Sequence, residues 1–479
     1  MAEPLWTGRD IADALDLSSP DADGVRVSGV SIDSRTLQRG DLFVAIKGER
    51  MDGRRFVGAA FGNGAAAAIV DLAFEPASAS SDALFRVPDT LEALNALARQ
   101  SRERSKARVI AVTGSVGKTG TKEMLRTMLS TSGSTHASEK SYNNLWGVPL
   151  SLARMPRDAA FGVFEIGMNH AGEITPLTRL VRPHSAIVTW VAPVHIEFFK
   201  SVSEIADAKA EIFDGFEQGG TAILPANNEH FARLAAHARA KEARVVTFGE
   251  SAGVDARLLA FEPAETGSLV TAEILGSRLA FRIGARGRHL ALNALAALSA
   301  AKLAGASLEA AAQSLAHFEA PEGRGRSVTF HSPEGPVLVI DESYNANPAS
   351  MRAALEVLRT AGRGTCARRI AVLGDMLELG HEAPQFHADL ASAVDSDGID
   401  LVFCAGPLMA HLYERLPRHK RGGWACTSED LSSVLLDRVR GGDAVMIKGS
   451  LGSRMGQLAD ALRLRFSSAE ADEQGRGAA

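Results

Sequence analysis

Short apolar runs alternate with helix-length amphipathic stretches along most of the chain, and that rhythm predicts its organisation. In the first hundred residues "VRVSGVSID", "DLFVAIKG", "GAAAAIVD" and "ALFRVPD" are separated by glycine and aspartate turns, which predicts a small α/β unit over residues 1–90. A basic helical stretch over 91–108 leads into "ARVIAVTG", and "AFGVFEIG", "HSAIVTWV", "GTAILPAN" and "ARVVTFG" then alternate with helical patterns. Strands spaced by helices build a largely parallel sheet wrapped by those helices. Within 255–287 the pattern changes to "SLVTAEILGSRLAFRIG", which reads as a β-hairpin, and an alanine-rich helical region follows over 290–318. These elements make a central unit, residues 91–320. Beyond the glycine- and arginine-rich link "APEGRGRSVTF", the runs "PVLVID", "RRIAVLGD", "IDLVFCAG" and "DAVMIKGS" predict a third α/β unit over 321–466. The stretch 467–479 has no apolar periodicity and is expected to be disordered. The fold class is α/β, with no solenoid repeat.

Length agrees with several units, since one core serves roughly 100–200 residues and the chain has 479. The 52 basic and 57 acidic residues sum to −5 without a long basic run, which argues against nucleic acid as the main partner and leaves a small anionic substrate open. Cys366, Cys404 and Cys426 lack metal-type spacing and frame no disulfide network, so a reducing cytoplasm fits. The start "MAEPLWTGRDIADAL" lacks the character of a signal peptide, and no apolar stretch reaches the ~20 residues of a membrane span.

The chemistry starts at "VTGSVGKTGTKEML". An apolar β-branched run ends in Gly114, and Met124, Leu125, Met128 and Leu129 then recur at helical spacing, giving strand, loop, helix. Backbone N–H groups from Gly114 through Ser115, Val116, Gly117 and Lys118 to Thr119 would face an anion at the helix N-terminus, where the helix dipole also favours negative charge. Lys118 would add its charge between the β- and γ-phosphates of ATP, and the Thr119 hydroxyl would ligate Mg²⁺. The alternative is a plain glycine turn; the flanking strand and helix favour the phosphate. Further oxygen ligands are offered by Glu165, which with His170 lies at or beyond the end of an apolar strand, where open parallel sheets hold their ligands. A surface carboxylate is the plainer reading of Glu165, but an acid in an apolar strand end needs a partner.

In "SVSEIADAKAEIFDGF", Ser201 and Glu204 stand at capping-box spacing, and Ile205, Lys209, Ile212, Phe213 and Phe216 share one helical stripe. Lys209 therefore faces the core. From pattern alone the commoner outcome is a snorkelling or acid-paired lysine. The other is a neutral amine that adds CO₂ to form a carbamate, a new carboxylate able to hold a second Mg²⁺. His195 and Glu197 follow the strand "SAIVTW"; alone His195 would be structural, but with Glu165 and Lys209 it completes a two-metal set.

At this point the sequence resembles the Mur ligase family of bacterial cell-wall synthesis. "TGSVGKT" is similar to that family's short loop, with two residues between the glycines, and "VSIDSR", "GDLFVAIKGERMDG", "EIGMNHAGEI", "HIEFFKSVSEIADAKAEIF", "DESYNANPASM" and "LGDMLELG" extend the likeness over about residues 28–456. The resemblance implies three domains: one for the UDP end of a precursor, a central P-loop-type ATPase, and a Rossmann-like domain for ATP and the incoming amine. It implies an ATP- and Mg²⁺-dependent ligase acting as a monomer on UDP-MurNAc-tripeptide and D-alanyl-D-alanine. Ser34 and Arg35 would lie by the uridine nucleotide, and Asn143 and Asn144 near the sugar-peptide and metal site. Glu165 and His195 would serve Mg²⁺, and Lys209 would be the family's carbamylated lysine, which reverses the reading from pattern. His289 and Asn293 would face the adenine side, while Arg324, Asp341, Asn345 and Asn347 would close over ATP.

The chain departs from the family pattern at Arg54, Gly120, Leu290 and the Asp341-Glu342 pair, none of which removes a residue assigned to phosphate transfer. Independently of the resemblance, Asn347 and Pro348 have N-cap and N1 character, with Met351, Ala354, Leu355 and Leu358 as a buried stripe behind them. Rivals are a ligase adding the third peptide residue, a folylpolyglutamate synthetase, and, from another class, an ATP-driven switch; "SYNANPASM" favours the D-Ala-D-Ala branch over the first two.

Overall fold

The computed structural model describes residues 3–18, 24–48, 51–75, 83–139, 141–264, 266–395 and 398–476. Three larger sheets and one small ribbon carry the described strands. Near the N-terminus, Gly29–Ser31, Asp41–Val44, Ala67–Asp71 and Leu84–Val87 form a four-stranded parallel sheet. The central sheet has nine strands, with Arg108–Thr113 between Ser185–Val188 and Phe161–Glu165. Ser268–Ile274 and Ser277–Ile283 pair antiparallel at one edge, as the hairpin pattern predicts. A third sheet of six strands is parallel except where Arg326–Phe330 meets Val337–Glu342.

Burial on both faces explains why the central strands read as continuous apolar runs. Along Arg108–Thr113 the side chains alternate, Val109 and Ala111 entering one core and Ile110 and Val112 the other. Val337–Glu342 does the same, with Leu338 and Ile340 on one face and Val337 and Val339 on the opposite face. The helix Lys118–Leu129 buries Met124, Leu125, Met128 and Leu129 against the sheet, which holds its N-terminus at the carboxyl end of Arg108–Thr113. The helix Thr90–Arg104 works on both sides of a boundary: Ala93, Leu94 and Leu97 pack into the N-terminal core, and Ala98 into the central one.

Several strands fall outside the apolar runs, among them Ala256–Pro263 in the interior of the central sheet. Thr135–Ala137 and Arg421–Ala425 are short edge strands, the second carrying Gly422 and Gly423, and Arg326–Phe330 lies in the stretch read as a link. Edge strands are packed on fewer sides, so their sequences need less apolar alternation. The end of the chain corrects another expectation. The final helix runs over Gly456–Arg476, through most of the stretch expected to be disordered, and 477–479 lie outside the described residues. Its first turns are anchored by Leu458, Leu462 and Phe466, and the alanine- and glutamate-containing sequence beyond them propagates a helix already nucleated.

Leu125 is fully buried between the phosphate-loop helix and the sheet, so Leu125→Ala should destabilise the central unit by about 2–5 kcal/mol. Denaturant unfolding measures this, and a loss under ~1 kcal/mol would contradict that packing.

Candidate active site

Register brings the site together. Val112 pairs with Glu165 and Val188 with Thr113, so three parallel strands end at one level beside the loop that precedes Lys118–Leu129. Gly114, at φ 146°, and Gly117, at φ 85°, adopt backbone that favours glycine. Space demands glycine too: an added Cβ would lie 2.0 Å from Thr189 Oγ1 at Gly114 and 2.6 Å from Asn293 Nδ2 at Gly117. The loop is tied down from its far side. Ser115 N–H donates to Trp190 O at 2.7 Å, Ser115 Oγ donates to Ala192 O at 2.9 Å, and Thr189 Oγ1 donates to Val116 O at 2.5 Å.

Glu165 is 1% exposed and fully engaged. Its Oε2 accepts from Thr119 Oγ1 at 2.8 Å and its Oε1 from Asn143 Nδ2 at 2.7 Å. Lys118 Nζ donates to Gly114 O at 2.7 Å, and burial lowers its pKa, with Glu165 opposing and Arg324 adding to the shift. Lys209 sits on the buried stripe of Val202–Ala210, 3% exposed. Burial first, and then the positive charge of Lys118, push its pKa well below that of an ordinary lysine. Ser201 caps that helix through Glu204 N–H, while Glu204 Oε2 reaches back one residue further than in a capping box, to Lys200 N–H. His195 has φ 57°, a conformation that costs a non-glycine residue about 1–3 kcal/mol, and its Nδ1 contacts Glu378 Oε2. Burial lowers the His195 pKa; Glu378 opposes, and Lys118 and Lys209 add to the lowering.

These groups border a cavity of about 730 Å³ whose wall also comes from the third sheet. Of the residues singled out in the sequence, Ser115, Val116, Gly117, Lys118, Asn143, Glu165, His195, His289, Asn293, Arg324, Asn345 and Asn347 line it. Gly114, Thr119 and Lys209 lie behind that surface. Arg324 spans the sheets: its Nη2 donates to Ser141 Oγ at 3.0 Å and its guanidinium lies 4.0 Å from the Tyr344 ring centroid. Asn347 caps Pro348–Thr360 by accepting from Ser350 N–H at 2.9 Å, and Met351, Ala354, Leu355 and Leu358 are buried behind it. Burial also lowers the His289 pKa.

Five expected residues are elsewhere. Asn144 is exposed and its Oδ1 accepts from Trp146 N–H and Gly147 N–H, because a short amide side chain next to a helix start satisfies free backbone donors. Asp341 is held away from the cavity wall by Ser343 and by Arg463 Nη2 at 2.8 Å, fastening the final helix to the sheet. Ser34 and Arg35 belong to the N-terminal unit; the Arg35 guanidinium is exposed and paired with Asp33, and Ser34 O accepts from Asn63 Nδ2. His170 is exposed and paired with Glu173. Conversely, Glu342, Tyr344 and Lys448 line the cavity without having been selected, Lys448 Nζ lying 3.2 Å from Glu342 Oε2. Lys448 was discoverable, since it closes the apolar run "DAVMIK" at a strand's carboxyl end. Glu378 lies within the motif "LGDMLELG", but no role was read from it there.

Among the described residues no three His, Cys, Asp or Glu side chains gather as a metal cage. A hydroxyl and one buried carboxylate beside a phosphate loop fit Mg²⁺, which is bound through few protein ligands together with substrate phosphates. The glycine cradle, the lysine and the paired carboxylate have the chemistry that suits a nucleotide phosphate chain, and the chain belongs to the Mur ligase family. The Mur ligase middle domain matches residues 112–301, the Mur ligase glutamate ligase domain 325–451, and the Mur ligase catalytic domain 26–102. The chain is 31% identical over 457 residues to the UDP-N-acetylmuramoyl-tripeptide–D-alanyl-D-alanine ligase of Rickettsia prowazekii, covering 95% of this chain and 99% of that one. It is similar to the crystal structure of MurF from Acinetobacter baumannii, with a TM-score of 0.82 and 30% identity over 96% of this chain and 99% of that one. The MurF ligase of Thermotoga maritima in complex with ADP gives a TM-score of 0.76 at 26% identity, covering 92% of this chain and 98% of that one.

A buried amine with a lowered pKa is the neutral nucleophile that adds CO₂. ¹³C NMR under labelled bicarbonate should therefore show a carbamate signal that Lys209→Arg removes. The signal should weaken as pH falls through the lowered Lys209 pKa and the amine is protonated. A spectrum unchanged by the substitution would exclude carbamylation there.

Proposed function

We propose that this chain joins D-alanyl-D-alanine to UDP-N-acetylmuramoyl-tripeptide, using ATP through an acyl phosphate. One observation carries the reading: the phosphate loop with Glu165 and His195, and the loop Glu342–Asn347 of the third sheet, border the same cavity. Both half-reactions thus share one enclosure. In the first, a carboxylate oxygen of the tripeptide attacks the γ-phosphorus of ATP, and the bond to the bridging oxygen breaks with its electrons leaving on ADP. Loop N–H groups and Lys118 hold the phosphates in line and take up developing negative charge. Thr119, Glu165, His195 and a carbamylated Lys209 would hold Mg²⁺, which would supply further charge neutralisation. In the second, the dipeptide amine attacks the acyl carbon, loses a proton, and the C–O bond to phosphate breaks as the amide forms.

His289 and Asn293 serve the adenine side in this reading, and Arg324, Asn345 and Asn347 exclude the water that would hydrolyse an acyl phosphate. Asp341 acts through the loop it anchors. Ser34 and Arg35 serve the uridine nucleotide, and Asn143 holds Glu165 in place while facing the sugar-peptide. A monomer is the proposed working unit, supported by both walls of the cavity coming from one chain, and a cytoplasmic location is proposed from the use of ATP. No described helix is long and apolar enough to cross a membrane. A ligase for the third peptide residue or a folylpolyglutamate synthetase is not favoured, since relatives matched over most of the chain bear the dipeptide-adding name.

A stopped-flow assay of ADP release tests the reading. Fast release should require both UDP-MurNAc-tripeptide and D-Ala-D-Ala, be abolished by chelating Mg²⁺, and fall about 100- to 1,000-fold in Lys118→Ala. Rapid ADP release with neither substrate would point to a switch or motor instead.

A further inference from the structure

We infer that Glu378, in the third sheet's loop after Arg368–Gly374, is a positioning residue for His195 and so makes the phosphate site depend on how the C-terminal unit is docked. This rests on the proposed role of His195 at the metal site. The two side chains meet across 183 positions of sequence, His195 Nδ1 to Glu378 Oε2. A carboxylate oxygen can only accept, so Nδ1 carries the proton, and in the neutral ring Nε2 keeps its lone pair. His195 lines the cavity and Glu378 does not, which leaves Nε2 as the ring nitrogen available to the cavity's contents.

Stability does not account for the contact. The side chains are 24% and 46% exposed, and ion contacts that wet contribute little. Yet both residues are held in left-handed backbone, His195 at φ 57° and Glu378 at φ 61°. Such conformations persist where surrounding packing over-determines them, and they concentrate at functional sites. The packing is present on each side. Ile196, next to His195, packs against the core of the central unit and against that of the C-terminal unit, and Leu379, next to Glu378, is buried in the latter. Gly380 lies against the Glu197 backbone, where an added Cβ would be 3.5 Å from Glu197 Cα. Each strained residue is thus pinned by its neighbour, and the two strained residues face each other. Carboxylates that accept from a ligand histidine fix its tautomer and ring orientation, and their loss commonly lowers metal affinity or activity 10- to 100-fold.

Binding of Mn²⁺, as a spectroscopic stand-in for Mg²⁺, to the full chain with ADP is measured by electron paramagnetic resonance, beside thermal melting and kcat and KM. Glu378→Ala should raise the Mn²⁺ Kd 10- to 100-fold and lower kcat, with ATP KM and Tm near those of the unchanged protein. Glu378→Gln, which keeps an acceptor oxygen, should recover much of the loss. Mn²⁺ affinity within twofold of the unchanged protein in Glu378→Ala, while His195→Ala weakens it, would overturn the inference and leave the role of His195 standing. Unchanged affinity in His195→Ala as well would reject that role, and the inference with it.

Discussion

A carboxylate cannot end an apolar, fully buried strand without partners, and Glu165 is the point from which the rest of the site is organised. Its two oxygens require donors on two sides, and Thr119 and Asn143 supply them. Thr119 belongs to the first turn of the phosphate-loop helix and Asn143 to the segment that Arg324 grips through Ser141. One acid therefore binds together a strand end, a helix start and a loop held by the link to the third sheet. Burial also lowers the pKa of Lys118, Lys209 and His195, outweighing the opposing charges of Glu165 at Lys118 and Glu378 at His195.

The fold was legible wherever burial had imposed periodicity. Strands covered on both faces, such as Arg108–Thr113 and Val337–Glu342, appear as unbroken apolar runs, and the stripe that carries Lys209 identified a core-facing lysine before any coordinates. The edge strands Thr135–Ala137, Arg326–Phe330 and Arg421–Ala425 were not legible, because packing constrains their side chains on fewer sides. In the site, legibility followed local chemistry. The glycine loop and the Asn347-Pro348 helix start act through their own backbone neighbourhood, so short sequence windows contain the whole reason for them. Asp341 and Asn144 looked like the same kind of signal, yet each spends its polar atoms holding up structure. Glu378 stood within the motif "LGDMLELG", but its pairing with His195 was not legible because the partner is remote in sequence.

The two larger units are joined by more than a chain crossing. Ile196 contributes to two hydrophobic cores, Arg324 crosses from the link to the Ser141 loop, and Glu378 meets His195. Polar and apolar contacts thus act at the same seam. Apolar burial resists separation without specifying direction, while the directional contacts select one relative placement.

The cavity wall draws on residues from Ser115 to Lys448, so neither sheet possesses the site alone. During synthesis the central sheet's part of that wall is made while the strand that bears Lys448 has yet to be made, and the enclosure is incomplete until then. A chain that ends between the two sheets would lack the same part of the wall, with nothing on that side to shelter an activated carboxylate from water. Productive chemistry is therefore confined to finished, uncut molecules, a form of quality control that follows from where the wall residues fall along the chain.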